Sequence, residues 1–211
     1  MGTPSWSDHE RLLFDLAGGE LGSGCGVAPT WIAFRGEQAL FVATLRPFDK
    51  GHYDSPIVEV GALAAALDAD RCAFSISGRA WSLEDPIPPV LPDGGDLRQQ
   101  VVIIHVVDGF ADPLQAYQVL RPFQLDDGTV TWGEAQRLDG GSGWIPDALK
   151  ALVRTRKAIW TDDPQGVAKQ LVRCERLGHR FAWGDTTLGE IDDGVRRYLS
   201  SATAPAAMRG S

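Results

Sequence analysis

The segment at residues 100–107 constrains the fold more than any other part of the sequence. It reads Gln-Val-Val-Ile-Ile-His-Val-Val, and its apolar residues occupy both sets of alternating positions. Successive side chains of a strand point to opposite faces of its sheet, so this pattern predicts a strand that is covered on both faces. We therefore expect a central, buried strand at about residues 100–107.

Two nearly identical tetrapeptides mark further strands. Leu45-Arg46-Pro47-Phe48 ends one β-favouring run, and Leu120-Arg121-Pro122-Phe123 ends another. Proline has no N–H to donate to a neighbouring strand, so each motif predicts the point where a strand leaves the sheet or lies at its edge. The repetition indicates two related strand units. The Asp127-Gly128 pair that follows suits a type I′ turn and predicts a hairpin of residues 117–124 with 129–136.

The rest of the chain has helical patterns at both ends. Ser7 and Glu10 form a capping box that predicts an N-terminal helix, which Gly18-Gly19 should end. A second helix is predicted near residues 59–67, and three more after the glycine-rich residues 140–143. Grouped strands followed by helices favour an α+β fold over a doubly wound one. We predict a mixed or antiparallel sheet built from hairpins around the central strand, with an N-terminal helix and about three C-terminal helices.

The same patterns predict one α+β domain over residues 1–199. Residues 1–139 are rich in strands, and residues 144–199 are helical. The helical part either packs on one side of the sheet or forms a subdomain hinged at residues 140–143. The packing alternative would use Leu149, Leu152, Val153, Leu171 and Leu177. Residues 200–211 are small and polar without periodicity, which predicts a disordered tail.

Charge and cysteine content restrict the classes of protein that fit. The net charge is −8, with 28 acidic against 20 basic residues, which argues against nucleic-acid binding. No apolar window reaches the roughly 18–20 residues of a membrane span, and no signal peptide is visible. Three cysteines without a Cys-x-x-Cys motif fit a reducing compartment. We expect a cytoplasmic, acidic protein, and its scarcity of lysine is typical of GC-rich bacteria.

The loop at residues 49–54 is the densest polar cluster and the first candidate site. Asp49, His52 and Asp54 place an imidazole between two carboxylates. Histidine titrates near pH 6.5 and is the commonest general acid or base, so this arrangement indicates catalysis. An ordinary hydrophilic turn has the same composition. His52 and Asp54 have no matching His or Cys pair nearby, so no metal site is predicted.

Cys25 and His105 are the other candidates for chemistry. Cys25 lies among glycines that would let a substrate approach the backbone, as a thiol nucleophile requires, although a flexible linker would look the same. His105 lies in the predicted central strand, and Asp108 follows where that strand ends. The pair could provide a base and its orienting carboxylate, or His105 could be a buried structural residue.

No cofactor is predicted. The glycine runs at residues 18–24 and 140–143 lack the lysine of a phosphate-binding loop. The first run also lies between a helix and a strand, the reverse of the order that nucleotide loops require.

Two functions remain open at this stage. The first is a non-catalytic protein-binding or regulatory role, as an adaptor, chaperone-like factor or inhibitor, with a partner that could be basic. The alternative is a hydrolase or transferase whose site combines the loop at residues 49–54 with Cys25 or His105. Convergence of His52, Cys25, His105 or Asp108 in one cleft would favour the enzyme.

Overall fold

The computed structural model describes residues 6–48, 54–81, 86, 97–140, 143–159, 164–184, 189 and 191. The strands are β1 Thr30–Arg35, β2 Gln38–Thr44, β3 Arg71–Ala80, β4 Gln99–Asp108, β5 Gln115–Asp126, β6 Thr129–Trp132, β7 Gln136–Asp139 and β8 Arg180–Trp183. The helices are α1 Trp6–Gly22, α2 Asp54–Ala66, α3 Trp144–Ile159 and α4 Pro164–Leu177.

The strands form one antiparallel sheet of eight strands, in the order β6-β5-β4-β3-β1-β2-β8, with β7 also paired to β5. The predicted α+β class is therefore confirmed, with its N-terminal helix and C-terminal helices. β4 lies in the interior, between β3 and β5, as its two apolar faces predicted. Ile104 belongs to the core on one face, and Val107 belongs to the core on the other.

α1 covers one face of the sheet. Leu13, Phe14 and Ala17 pack there against Ile32 and Ile104. The prediction that Gly18-Gly19 end this helix is wrong, because α1 continues to Gly22. The helix packs on the sheet through Leu13, Phe14, Ala17 and Leu21, which are buried on both sides of the two glycines. This tertiary packing outweighs the low helix propensity of glycine.

α2, α3 and α4 cover the opposite face. Their buried side chains join one core with Phe41 and Phe74 of the sheet, and include Ile57, Val60, Leu63, Leu149, Val153, Val167 and Leu171. A Cβ on Gly61 would overlap Leu152, so α2 and α3 cross in close contact at this glycine. Of the packing residues that the sequence indicated, Leu177 is exposed instead.

The two tetrapeptides occupy different positions. Leu45 follows the end of β2, whereas Pro122 lies inside β5, opposite Val101. Beyond Pro122, β5 no longer pairs with β4 and pairs with β6. Proline thus marks a change of partner in β5 and not its end. Asp127 and Gly128 both have positive φ (47° and 78°), which is the conformation predicted for their turn.

β8 lies at one end of the strand order. Its residues 180–183 pair with residues 41–44 on the outer side of β2. Gly78 lies within a continuous β3 and pairs with Val101.

Some predictions lie outside the described residues: the proline-rich loop at residues 85–96 except Pro86, the tail at 200–211, and most of the last helix. Within the described ranges, no helix has the length and apolar character needed to cross a membrane.

Candidate functional site

A large cavity lies where β3 extends past its neighbour. β1 pairs only with Arg71–Ser75, so the last five residues of β3, from Ile76 to Ala80, continue beyond it beside β4. The start of α3 and the segment that follows β2 border this overhang. Together they enclose a volume of about 1010 Å³.

The walls of this cavity are mainly apolar. Their larger side chains come from four parts of the chain: Phe48, Ile76, Ile103, Trp144 and Ile145. Trp144 is 46% exposed, which is high for so large an apolar ring. An apolar pocket with a few polar groups is the usual form of a binding site.

His105 is the buried polar group of the cavity. It is only 5% exposed, and its ring stacks on Phe74 with centroids 6.3 Å apart. Its Nδ1 has no hydrogen-bond partner among the described residues. Burial lowers the pKa of the His105 imidazole to about 4, so the ring is neutral at pH 7. A buried nitrogen without a partner is costly.

Two arginines supply the charge of the lining. Arg79 lies near the end of β3 and Arg98 just before β4, and Arg79 Nη1 donates to the Arg98 carbonyl (3.1 Å). The Arg98 guanidinium lies 5.6 Å from the centroid of the Trp81 ring. The described lining of the cavity contains neither aspartate nor glutamate.

Cys25 lines a second, smaller cavity of about 400 Å³. This cavity includes Leu21 and Phe123, which belong to the core on the α1 face, whereas His105 stacks on Phe74 in the core of the other face. The two cavities share Val27 and residues 77–79 as a common wall. The structure thus places Cys25 and His105 in separate cavities, and does not bring them together as a nucleophile and its base.

Asp108 and Asp54 have structural contacts of their own. Asp108 forms an ion pair with Arg71 (3.3 Å), accepts a hydrogen bond from Trp6 Nε1 (3.3 Å) and accepts another from the Phe110 N–H (3.0 Å). Asp54 is the exposed first residue of α2. Asp49 and His52 lie outside the described residues. Among those that are described, no three His, Cys, Asp or Glu residues are grouped to hold a metal ion.

Sequence reasoning missed a partly buried polar network around His179. Arg46 Nε and Nη2 donate to the two oxygens of Glu59 (2.9 and 3.1 Å), and His179 Nε2 lies 2.7 Å from Glu59 Oε2. The Arg46 backbone N–H donates to His179 Nδ1 (3.1 Å). Because Nδ1 accepts, Nε2 carries the proton and donates to Glu59. We call Arg46, Glu59 and His179 the Glu59 network.

The Glu59 network has a structural role. Hydrogen bonding from Arg46 lowers the pKa of Glu59, and burial lowers the pKa of His179, so an ionised carboxylate faces a neutral imidazole. The His179 side chain is 0% exposed and cannot reach a substrate. The network joins the segment after β2 to α2 and to the start of β8. No local pattern could have revealed it, because Glu59 and His179 are 120 residues apart.

Comparison with known proteins adds no assignment to this geometry. No protein-family model, no curated protein and no solved structure matches the chain. The site must therefore be interpreted from its own residues: an apolar cavity, two arginines and a buried histidine with an unsatisfied nitrogen.

Proposed function

We propose that the protein is a non-catalytic binding or regulatory protein, of the adaptor, chaperone-like or inhibitor kind, which holds a segment of another protein. The observation that carries this proposal is the cavity of about 1010 Å³, with Trp144 and Phe48 in its walls. Tryptophan and other aromatic residues are common among the residues that dominate protein interfaces. A partner segment would cover Trp144 and bury its apolar surface.

The separation of the candidate catalytic residues also supports binding. Cys25 and His105 line different cavities, and Asp108 is engaged by Arg71 and Trp6. Nucleophilic catalysis needs the nucleophile and its base within hydrogen-bond reach. These three residues do not meet that requirement.

The alternative function is a hydrolase or transferase that uses the loop at residues 49–54. One observation favours it: Phe48, which directly precedes this loop, lines the same cavity as the neutral His105. In this alternative, Asp49, His52 or Asp54 would act together with His105 or Cys25.

The setting that we propose is the cytoplasm, where the thiols of Cys25, Cys72 and Cys174 stay reduced. The net charge of −8 would accelerate encounter with a basic surface on the partner and disfavour nucleic acid. Charge reversal on the acidic surface should then slow association and weaken its dependence on salt.

Site-specific photo-crosslinking tests the proposal. A photoreactive phenylalanine analogue replaces Ile145 in the cavity, and a matched variant carries it at Val58, which is exposed on α2. Crosslinks from position 145 but not from position 58 identify the partner. The affinity of the purified partner is then measured with Trp144→Ala and with Leu138→Ala, a control that alters an exposed apolar residue of β7.

We expect Trp144→Ala to weaken binding about tenfold or more, because it truncates an interface anchor, and Leu138→Ala to have little effect. Equal affinity in both variants would contradict the proposal. Turnover of a model ester or phosphate substrate that is lost in His52→Ala, with an unchanged melting temperature, would favour the enzyme.

A further inference from the structure

We infer that the outer edge of β7 pairs with β7 of a second copy of this chain, in an antiparallel arrangement whose two-fold axis passes through Leu138. The eight-stranded sheets of the two copies would then be continuous across the axis. Residues 137–139 are not among those that line the large cavity, so this inference is independent of the proposed function.

The outer edge of β7 is open within the described part of the chain. β7 pairs with β5 on one side, and no other described strand pairs with it. Every residue from 133 to 140 is exposed. An open strand edge presents unpaired N–H and C=O groups, to which another strand can bind.

The register of β7 on β5 shows which backbone groups are directed outwards. The Gly140 N–H donates to the Ala116 carbonyl (2.8 Å), and this bond continues the register of the β5–β7 pairs. Hydrogen-bonded and non-hydrogen-bonded residues alternate along an antiparallel pair. Gly140 and Leu138 therefore direct their N–H and C=O groups to β5, whereas Arg137 and Asp139 direct theirs away from it.

Pairing about Leu138 matches these outward groups. Arg137 of each copy lies opposite Asp139 of the other, and each such pair of residues can exchange two N–H···O bonds. Leu138 lies opposite Leu138 of the other copy, as a non-hydrogen-bonded pair. The backbone of β7 is therefore complementary to itself in this register.

The charges of β7 select the same register. Arg137 lies 3.5 Å from the centroid of the Tyr117 ring, and its Nε lies 3.1 Å from Asp139 Oδ1, so both charged side chains are on the α1 face. Pairing about Leu138 keeps this ion pair and places each charge opposite one of the other sign in the second copy. An axis at Arg137 or at Asp139 would instead oppose two like charges, which is destabilising.

Leu138 supplies an apolar contact at the axis. Side chains alternate along a strand, so Leu138 points to the face opposite Arg137, where it is 50% exposed. The Cα atoms of a non-hydrogen-bonded pair are about 4.5 Å apart, which brings the two Leu138 side chains together. A contact of this length is smaller than a standard interface, so we expect a weak dimer that forms as the concentration rises.

Charge exchange on β7 tests the inference. Sedimentation velocity gives the dimer dissociation constant of the wild type, Arg137→Asp, Asp139→Arg, an equimolar mixture of these two variants, and the double variant Arg137→Asp/Asp139→Arg. The matched control is Arg11→Asp, which breaks the ion pair of the exposed Arg11 with Asp8 on α1. Urea unfolding verifies that each variant is folded.

We expect each single variant to weaken the dimer about tenfold or more, because like charges then lie opposite each other on both sides of the axis. The mixture and the double variant should recover the dimer, because both restore opposite charges at every pair. Arg11→Asp should dimerise like the wild type.

A cysteine at the axis gives a second test. Leu138→Cys, made with Cys25→Ala, places two thiols at a Cα separation that suits a disulfide. It should oxidise to a covalent dimer about tenfold or more faster than Leu125→Cys in the same background, because pairing raises the local thiol concentration. Leu125 is similarly exposed, near the end of β5.

Four outcomes would overturn the inference. A wild type that stays monomeric at its highest soluble concentration would show that β7 does not pair. A dimer that both charge variants leave intact would place the contact elsewhere. Failure of the mixture to recover the dimer, or equal oxidation at positions 138 and 125, would refute the axis at Leu138. None of these results would affect the proposed function, which uses the large cavity.

Discussion

The two buried histidines occupy regions of opposite character. In the Glu59 network, both ring nitrogens of His179 have partners, a carboxylate and a backbone N–H. In the cavity, His105 is almost as deeply buried, yet its Nδ1 has no described partner. Burial lowers the pKa of both rings. Burial and a lowered pKa therefore do not distinguish a histidine whose ring nitrogens are both hydrogen-bonded from one whose Nδ1 is not; the hydrogen-bond partners do.

This comparison also separates two ways of using polar groups. The Glu59 network uses them to join α2 with the flanks of β2 and β8, and each group in it is satisfied within the fold. In the wall of the cavity, His105 keeps a buried Nδ1 without a described partner, which costs stability. We expect changes in the first region to affect stability and changes in the second to affect binding.

The largest expected effect on stability is that of Glu59→Ala. It removes the carboxylate that Arg46 and His179 share. The guanidinium charge of Arg46 and the Nε2–H of His179 would then be partly buried without an acceptor. We expect the free energy of unfolding in urea to fall by about 3–4 kcal/mol. Glu175→Ala, which alters an exposed carboxylate on α4, is the control and should change it by less than about 0.5 kcal/mol. A similar small loss in Glu59→Ala would mean that the network contributes little.

The next largest expected effect is a difference between two adjacent residues of β4 in the stability that each loses on truncation to alanine. Ile104 is fully buried against the α1 face, whereas Ile103 borders the cavity and is half-buried. Ile104→Ala should destabilise by about 3 kcal/mol because it leaves a void in a packed core. Ile103→Ala should cost only about 1 kcal/mol, because part of its surface already faces the cavity. Equal losses in urea unfolding would show that the cavity wall is as tightly packed as the core.

The pH dependence of stability should report on His105. Its folded pKa of about 4 lies below the unfolded value, so its neutral form stabilises the fold fully above about pH 6.5. As the pH falls from 7 to 5, the unfolded chain takes up a proton that the folded chain does not, and stability falls by about 2 kcal/mol. His105→Phe should remove this part of the loss, with any contribution of His179 remaining. An unchanged pH profile in His105→Phe would show that the ring is accessible to protons in the folded state.

Substitution of the exposed Cys25 should have the smallest effect on stability, and thiol reactivity should distinguish Cys25 from the buried Cys174. Cys174 is buried beside Glu59, and burial raises its pKa to about 12, whereas Cys25 is exposed in the smaller cavity. A thiol reagent should therefore modify Cys25 rapidly in the folded protein and Cys174 only after denaturation. Cys25→Ala should change the free energy of unfolding by less than about 0.5 kcal/mol. Rapid modification of Cys174 under native conditions would indicate that the Glu59 region opens readily.

The sheet was predictable from sequence because its signals are local. Apolar residues in both sets of alternating positions predicted the interior strand β4, and Asp127-Gly128 predicted the turn between β5 and β6. The prediction that Gly18 ends α1 was wrong because α1 is held by tertiary packing, with Ala17 and Leu21 buried on either side of the glycines. Local propensity cannot include such a contact.

The site was less predictable for the same reason. His105 was a candidate from its place in β4, but its cavity is built from Phe48, Ile103 and Trp144, which only the tertiary fold brings together. Glu59 carried no signal, because its partner His179 lies far along the chain. The roles of Asp49 and His52 stay predictions.

The position of β8 has a consequence for protein synthesis. The outer edge of β2 is paired by the last strand, and the Arg46–His179 hydrogen bond beside it joins residues 133 positions apart. At about 5–20 residues per second, a ribosome needs about 7–27 s to synthesise the intervening chain. During that interval the nascent chain has β2 but not the strand that covers it, and an uncovered edge can pair with other chains. Truncation before residue 180 should therefore produce aggregation, even though the other described strands of the sheet have already been made.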